Sequence, residues 1–172
     1  MWSTLKNIPK FTKKSELDAM IGKPKFQIED RPAYYYGGGI VVHFSPKCFR
    51  IEGIQRVEYG SVDEYAVGLY HFSDVGALMT FLGLDSFPAN DVVPLEEDIL
   101  DGVITYHSTF NDIHRYAVGN FFEDYREGIT QRMVDGEMVF LNRFIQCGQY
   151  DLYFYGKSKR TKLSGFQFVF SE

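Results

Sequence analysis

Cationic side chains are missing from the middle of this chain. The 58 residues 57–114 hold no Lys and no Arg, yet they carry eleven carboxylates: Glu58, Asp63, Glu64, Asp74, Asp85, Asp91, Glu96, Glu97, Asp98, Asp101 and Asp112. Residues 1–56 have a surplus of five positive charges and residues 115–172 a surplus of one, for a net charge of −5. Negative charge is therefore segregated along the sequence. Carboxylates without local counter-ions repel one another and stay in water, so a fold that keeps this third together is expected to turn an anionic surface toward a cationic protein partner.

Other absences narrow the possibilities. There are only two cysteines, Cys48 and Cys147, with no CxxC and no Cys/His cluster. That excludes a disulfide scaffold and the usual zinc spacings, and reads as free thiols in a reducing compartment. No apolar run approaches the roughly 20 residues that a membrane-spanning helix needs, so no membrane association is expected. The first residues lack the apolar stretch of a signal peptide, which points to a cytoplasmic location. Gly37-Gly38-Gly39 has neither GxGxxG spacing nor the Lys-Ser/Thr of a phosphate-binding loop and reads as a turn between strands. The carboxylates do not follow EF-hand spacing. No cofactor and no metal are expected. The acidic balance disfavours nucleic acid, because phosphate binding draws on clustered cations and only Lys157, Lys159, Arg160 and Lys162 offer a cluster.

What is present in excess is aromatic: 16 Phe and 12 Tyr against one Trp in 172 residues. Length and composition suit one α+β domain over residues 1–172. Ser15 and Asp18 resemble a capping box ahead of a short helix that Gly22 and Pro24 stop. Aromatic and β-branched runs at 26–28, 34–36, 40–44, 49–57 and 66–72 read as an antiparallel meander. Ser73 is placed to cap a helix with Val75, Leu78, Met79 and Leu82 on one face. Residues 85–102 read as a long surface loop, residues 103–110 as a strand, and Asn111 or Asp112 as the start of a second helix ending at Gly128. Asp135-Gly136 signals a type I′ hairpin, because both central residues of that turn need positive φ. Residues 150–155 and 166–170 form a last hairpin in which Phe166, Phe168 and Phe170 share a face. The expected architecture is a bent antiparallel β-sheet of about six to eight strands packed on two or three helices.

Two groups of residues carry candidate function. Asp85, Asp91, Glu96, Glu97, Asp98 and Asp101, with Tyr34 and Tyr36 supplying aromatic contact area, would form a partner-binding surface of the kind used by inhibitors, immunity proteins and antagonists. The second group is a set of His-x-Ser/Thr triplets, His43-Phe44-Ser45, His71-Phe72-Ser73 and His107-Ser108-Thr109. On a strand, positions i and i+2 share a face, so each triplet sets an imidazole beside a hydroxyl. The arrangement resembles that of the two-histidine phosphoesterases, with His43 and Ser45 pairing with His107 and Thr109. That resemblance implies metal-independent phosphodiester cleavage of a nucleotide or cyclic oligonucleotide, the histidines as acid and base and the hydroxyls holding the phosphate. A third expectation is a β-rich cup whose Phe and Tyr side chains line a small-molecule pocket.

Overall fold

The computed structural model describes residues 1–46, 64–120 and 124–170. Eight antiparallel strands lie in it: β1 (Phe26–Gln27), β2 (Ala33–Gly37), β3 (Ile40–Pro46), β4 (Glu64–Phe72), β5 (Arg126–Val134), β6 (Glu137–Cys147), β7 (Tyr150–Phe154) and β8 (Gly165–Val169). They form one sheet in the order β1-β2-β3-β4-β8-β7-β6-β5. The fold is therefore α+β, with two meanders, β1 to β4 and β5 to β8, joined where β8 pairs with β4. Among the described residues four helices accompany the sheet, roughly compatible with the two or three expected: α1 (Trp2–Leu5), α2 (Lys14–Ile21), α3 (Val75–Leu82) and α4 (Phe110–Asn120).

Alternation along the strands assigns the side chains to two faces. On the front face Tyr36, Val42, Phe44, Leu69, Ile145, Leu152, Phe166 and Phe168 pack with Trp2 and Leu5 of α1, Leu17 of α2, Ile113 and Ala117 of α4, and Ile99 and Tyr106. Trp2 is the centre of this layer, meeting Phe166 and Phe168 edge-on with ring centroids 5.0 and 5.2 Å away. On the back face Tyr35, Val41, Tyr70 and Phe72 pack under Leu78 and Leu82 of α3 and Val92. That cover is partial: His43 of β3 and Val169 of β8 also point backward and are exposed.

Local chemistry explains where elements start and stop. The Lys13 N–H donates to Glu16 at 2.9 Å, so the box that opens α2 lies two residues earlier than Ser15 suggested. Asp74 and not Ser73 caps α3, accepting from the Ala77 N–H at 2.8 Å. Gly22 and Gly83 end α2 and α3 with positive φ. Asp135 and Gly136 have φ of +50° and +82°, as the type I′ turn between β5 and β6 requires.

Two expectations are corrected. Residues 103–109 are not a strand of the sheet; they run through turns with isolated bridges Leu100 to Ile104 and Thr109 to Lys162. Hydroxyls there bond locally, the Thr105 N–H donating to Ser108 Oγ and the His107 N–H to Thr105 Oγ1, both at 3.1 Å, which competes with a ladder. Gly128 does not end α4 but lies within β5 beneath the Phe144 ring, which a β-carbon would meet at 2.6 Å. The run 49–57, Cys48 and Phe121 fall outside the described residues.

The outer half of the β5–β6 hairpin leaves the body of the protein. Nearly every residue of β5 is exposed, and Ile129, Met133, Met138 and Val139 are among the most exposed large apolar side chains. Among the described residues no helix covers either face of this ribbon, a condition under which two strands are only marginally stable in water.

Candidate acidic docking site

The acidic segment 85–101 is held at three points. Its first anchor is Asp91. One carboxylate oxygen, Oδ2, accepts from Lys25 Nζ at 2.6 Å and from the Gly38 N–H at 3.0 Å, while Oδ1 accepts from the Tyr35 hydroxyl at 2.6 Å. The Lys25 ammonium and the Tyr35 hydroxyl hold this carboxyl well below its ordinary range, against a smaller opposing effect of burial. The same contacts push the Tyr35 phenol up, burial first and Asp91 second.

Glu97 is the second anchor. Burial acts to raise its pKa, but the Ser3 N–H at 2.9 Å and the Met1 ammonium at 3.2 Å outweigh it and keep the group below the carboxylate norm. The third anchor is the fully buried Ile99, whose carbonyl accepts from Trp2 Nε1 at 3.3 Å and from the Tyr150 hydroxyl at 2.8 Å. Just beyond, Asp101 takes φ +50° in a tight turn and accepts from the Tyr116 hydroxyl at 2.6 Å, a bond that raises that phenol to about 12.

The six expected carboxylates therefore separate into two classes. Asp91 and Glu97 are internal ties, each neutralised by a cation brought from the N-terminal part of the chain. Asp85, Glu96 and Asp98 are exposed and have no ion pair or hydrogen bond among the described residues, and Asp101 bonds only to a neutral phenol. Glu96 and Asp98, on either side of the anchored Glu97, are exposed, as is Asp101 beyond the buried Ile99 and Leu100. Beside Asp101 a hollow of about 360 Å³ opens between Lys6, Gln149, Tyr150 and Phe168.

Of the three consecutive tyrosines, Tyr35 is the one that bonds to this segment. Alternation sends Tyr35 to the back face, where residues 84–92 pack, and sends Tyr34 and Tyr36 to the front. Tyr36 is 6% exposed and donates to Asp18 at 2.8 Å, so it is a core residue and offers no contact surface. Tyr34 is half-buried beneath the Lys14 ammonium, 4.8 Å from its ring centre.

The histidine triplets are not brought together. His43 lies exposed on the back face, whereas His107 sits in the turn beside Tyr106, on the front side of the sheet. Thr109 caps α4: its Oγ1 accepts from the Asp112 N–H at 3.2 Å and its own N–H donates to Asp112 at 3.0 Å. Ser45 is half-buried opposite Tyr65 in the β3–β4 ladder. His71 is fully buried, with Nε2 2.7 Å from the Gly38 carbonyl and Nδ1 2.6 Å from the Tyr106 hydroxyl. A carbonyl only accepts, so Nε2 carries the proton, while the Tyr106 hydroxyl lies between Nδ1 and the His71 carbonyl oxygen, to which it donates at 3.0 Å.

One polar cluster has no signature in the local sequence. His114 of α4 lies with Nδ1 2.6 Å from the Tyr125 hydroxyl and 2.8 Å from Glu127, and Tyr125 also donates to Glu127. The three come from a helix, a connecting segment and a strand, so only their spatial meeting reveals them. Among the described residues no group of His, Cys, Asp and Glu is arranged to hold a metal ion, and no helix is long and apolar enough to cross a membrane. No protein-family model, no curated protein and no solved structure matches this chain.

Proposed function

We propose that this protein is a non-enzymatic binding module that presents the 96–101 loop to a cationic surface on a partner protein, in the manner of an inhibitor, immunity protein or antagonist acting in the cytoplasm. One observation carries the reading: Glu97 and Ile99 tie the loop to the body while Glu96, Asp98 and Asp101 stay in water without a cation. A loop fixed in advance loses little conformational freedom on binding, so more of its electrostatic attraction appears as affinity. Its negative potential speeds encounter with a basic partner and weakens as salt screens it. Asp91 and Tyr36 lie outside the contact surface in this reading, and Asp85, which follows α3 on the other face of the sheet, does as well.

The test is a capture experiment from the source cell at low salt, eluted by a salt step. A bound protein with a basic face is expected, and Glu96→Lys, Asp98→Lys and Asp101→Lys combined should lower its affinity by at least about tenfold. Binding that is indifferent to both salt and the triple reversal would overturn the proposal.

A further inference from the structure

The back face of the sheet carries a recess that is separate from the acidic loop. Ala33 of β2, His43 of β3, Gly68 of β4 and Val169 of β8 stand side by side in register across four strands, and opposed residues in an antiparallel ladder share a face. Central strands ordinarily place bulky side chains at such positions. Here the two places that flank His43 hold a methyl group and a hydrogen. Gly68 cannot be otherwise without a shift, since a β-carbon would lie 2.9 Å from the Phe168 carbonyl oxygen. The result is a cavity of about 520 Å³, floored by Ala33 and Gly68 and walled by Arg31, His43, Tyr70 and Gln167 with apolar neighbours. That volume is in the range of small-ligand sites.

The polar groups on its walls are all able to donate. Tyr70 is only 6% exposed, and its hydroxyl has no hydrogen-bond partner among the described residues. No buried side-chain polar atom among the described residues lacks a partner, so this hydroxyl opens into the recess. Arg31 lies within electrostatic reach of that hydroxyl, and its own tie is a loose one, to Glu29 at 3.5 Å. Gln167 accepts from the Tyr153 hydroxyl at 2.9 Å through Oε1, which leaves its amide N–H groups. The His43 ring is likewise unbonded among the described residues. Donors brought by β3, β4, β8 and the turn before β2 to an apolar floor select an acceptor with negative charge on an apolar body.

The geometry points to a ligand site in this recess for a small amphipathic organic anion, its carboxylate received by Arg31, Tyr70, His43 and Gln167 and its apolar body laid over Ala33, Gly68 and Val169. The ligand's oxygen supplies the acceptor that the Tyr70 hydroxyl lacks. The site is independent of the acidic loop, so either assignment can fail alone.

The experiment is amide and side-chain chemical-shift mapping of the intact protein with decanoate, with decanol as the uncharged match. Saturable shifts are expected at Ala33, His43, Gly68, Tyr70 and Val169, with decanol at least about tenfold weaker because it lacks the charge. Arg31→Gln and Tyr70→Phe should each weaken decanoate by about tenfold at unchanged thermal stability. Equal binding of decanol and decanoate, shifts confined to the apolar β5–β6 ribbon, or no saturable shift at these residues up to about 10 mM ligand would each overturn the assignment.

Discussion

Lys25 and Asp91, 66 residues apart, meet in a 2.6 Å ion pair on the back of the sheet. The pair fastens the loop between α3 and α4 to β1 and β2, and Asp91 adds the Gly38 N–H and the Tyr35 hydroxyl to the same knot. The Tyr35 hydroxyl in turn accepts from the Gly39 N–H at 3.0 Å, so the glycine turn and the acidic segment are ordered together.

Replacing Asp91 with Ala removes the acceptor for three donors. The expected cost is about 1–3 kcal/mol, read as a lower urea midpoint at unchanged slope. The pH dependence has a definite sign. Asp91 is depressed in the folded protein relative to 3.8, so its contribution is present above that pH and is lost as pH falls below it. The wild type should lose more stability than Asp91→Ala between about pH 4 and pH 2, and parallel curves would contradict the assignment.

His71 titrates in the opposite environment. Burial lowers its pKa from 6.5 to about 4, only partly offset by its bonds to backbone carbonyls. Between those values the unfolded chain takes up a proton that the folded chain does not, so stability falls as pH drops from 6.5 toward 4, by on the order of 3 kcal/mol. The His71 ring resonances should show no titration step near pH 6.5. A His71 midpoint at its ordinary value would contradict the buried neutral ring.

Gly165 opens β8 directly against Phe72, and a β-carbon there would run into the Phe72 ring. Gly165→Ala is expected to destabilise by about 3 kcal/mol, with part recovered when Phe72 is shortened to Leu in the same chain. Simple additivity in that double mutant would show that the ring is not the obstacle.

The uncovered ribbon predicts uneven stability. Amides of residues 130–140 should exchange with solvent many times faster than those of β3, β4 and β8, whose strands are paired on both sides. Uniform protection across the sheet would mean that something covers the ribbon.

Charge reversal at the acidic loop separates function from fold. Glu96→Lys and Asp98→Lys touch no bonded group among the described residues, so thermal stability should change by no more than about 0.5 kcal/mol while partner affinity falls. A large drop in melting temperature would show that these carboxylates are structural.

Much of the fold was legible because it depends on neighbours in the chain. Asp135-Gly136 dictates its turn through φ, the spacing of Leu78 and Leu82 makes one side of α3 apolar, and alternation buries Phe166 and Phe168 while leaving Val169 in water. The same local logic misjudged residues 103–109, where hydroxyl side chains compete with strand pairing. The candidate site was legible only in part. That Glu96 and Asp98 stay open follows from a segment without cations, but the neutralisation of Asp91 by Lys25 and of Glu97 by Met1 does not.

By itself the sequence determined the periodicities, the turns and the segregation of charge, since each is a property of residues a few positions apart. Tertiary structure decided that the last strand enters between β4 and β7, that Tyr35 and not its neighbours meets the acidic segment, and that Arg31, His43, Tyr70 and Gln167 line one recess with Gly68. Those outcomes depend on which distant strands pair and in which register. A one-residue change of register would exchange every inward side chain for its outward neighbour.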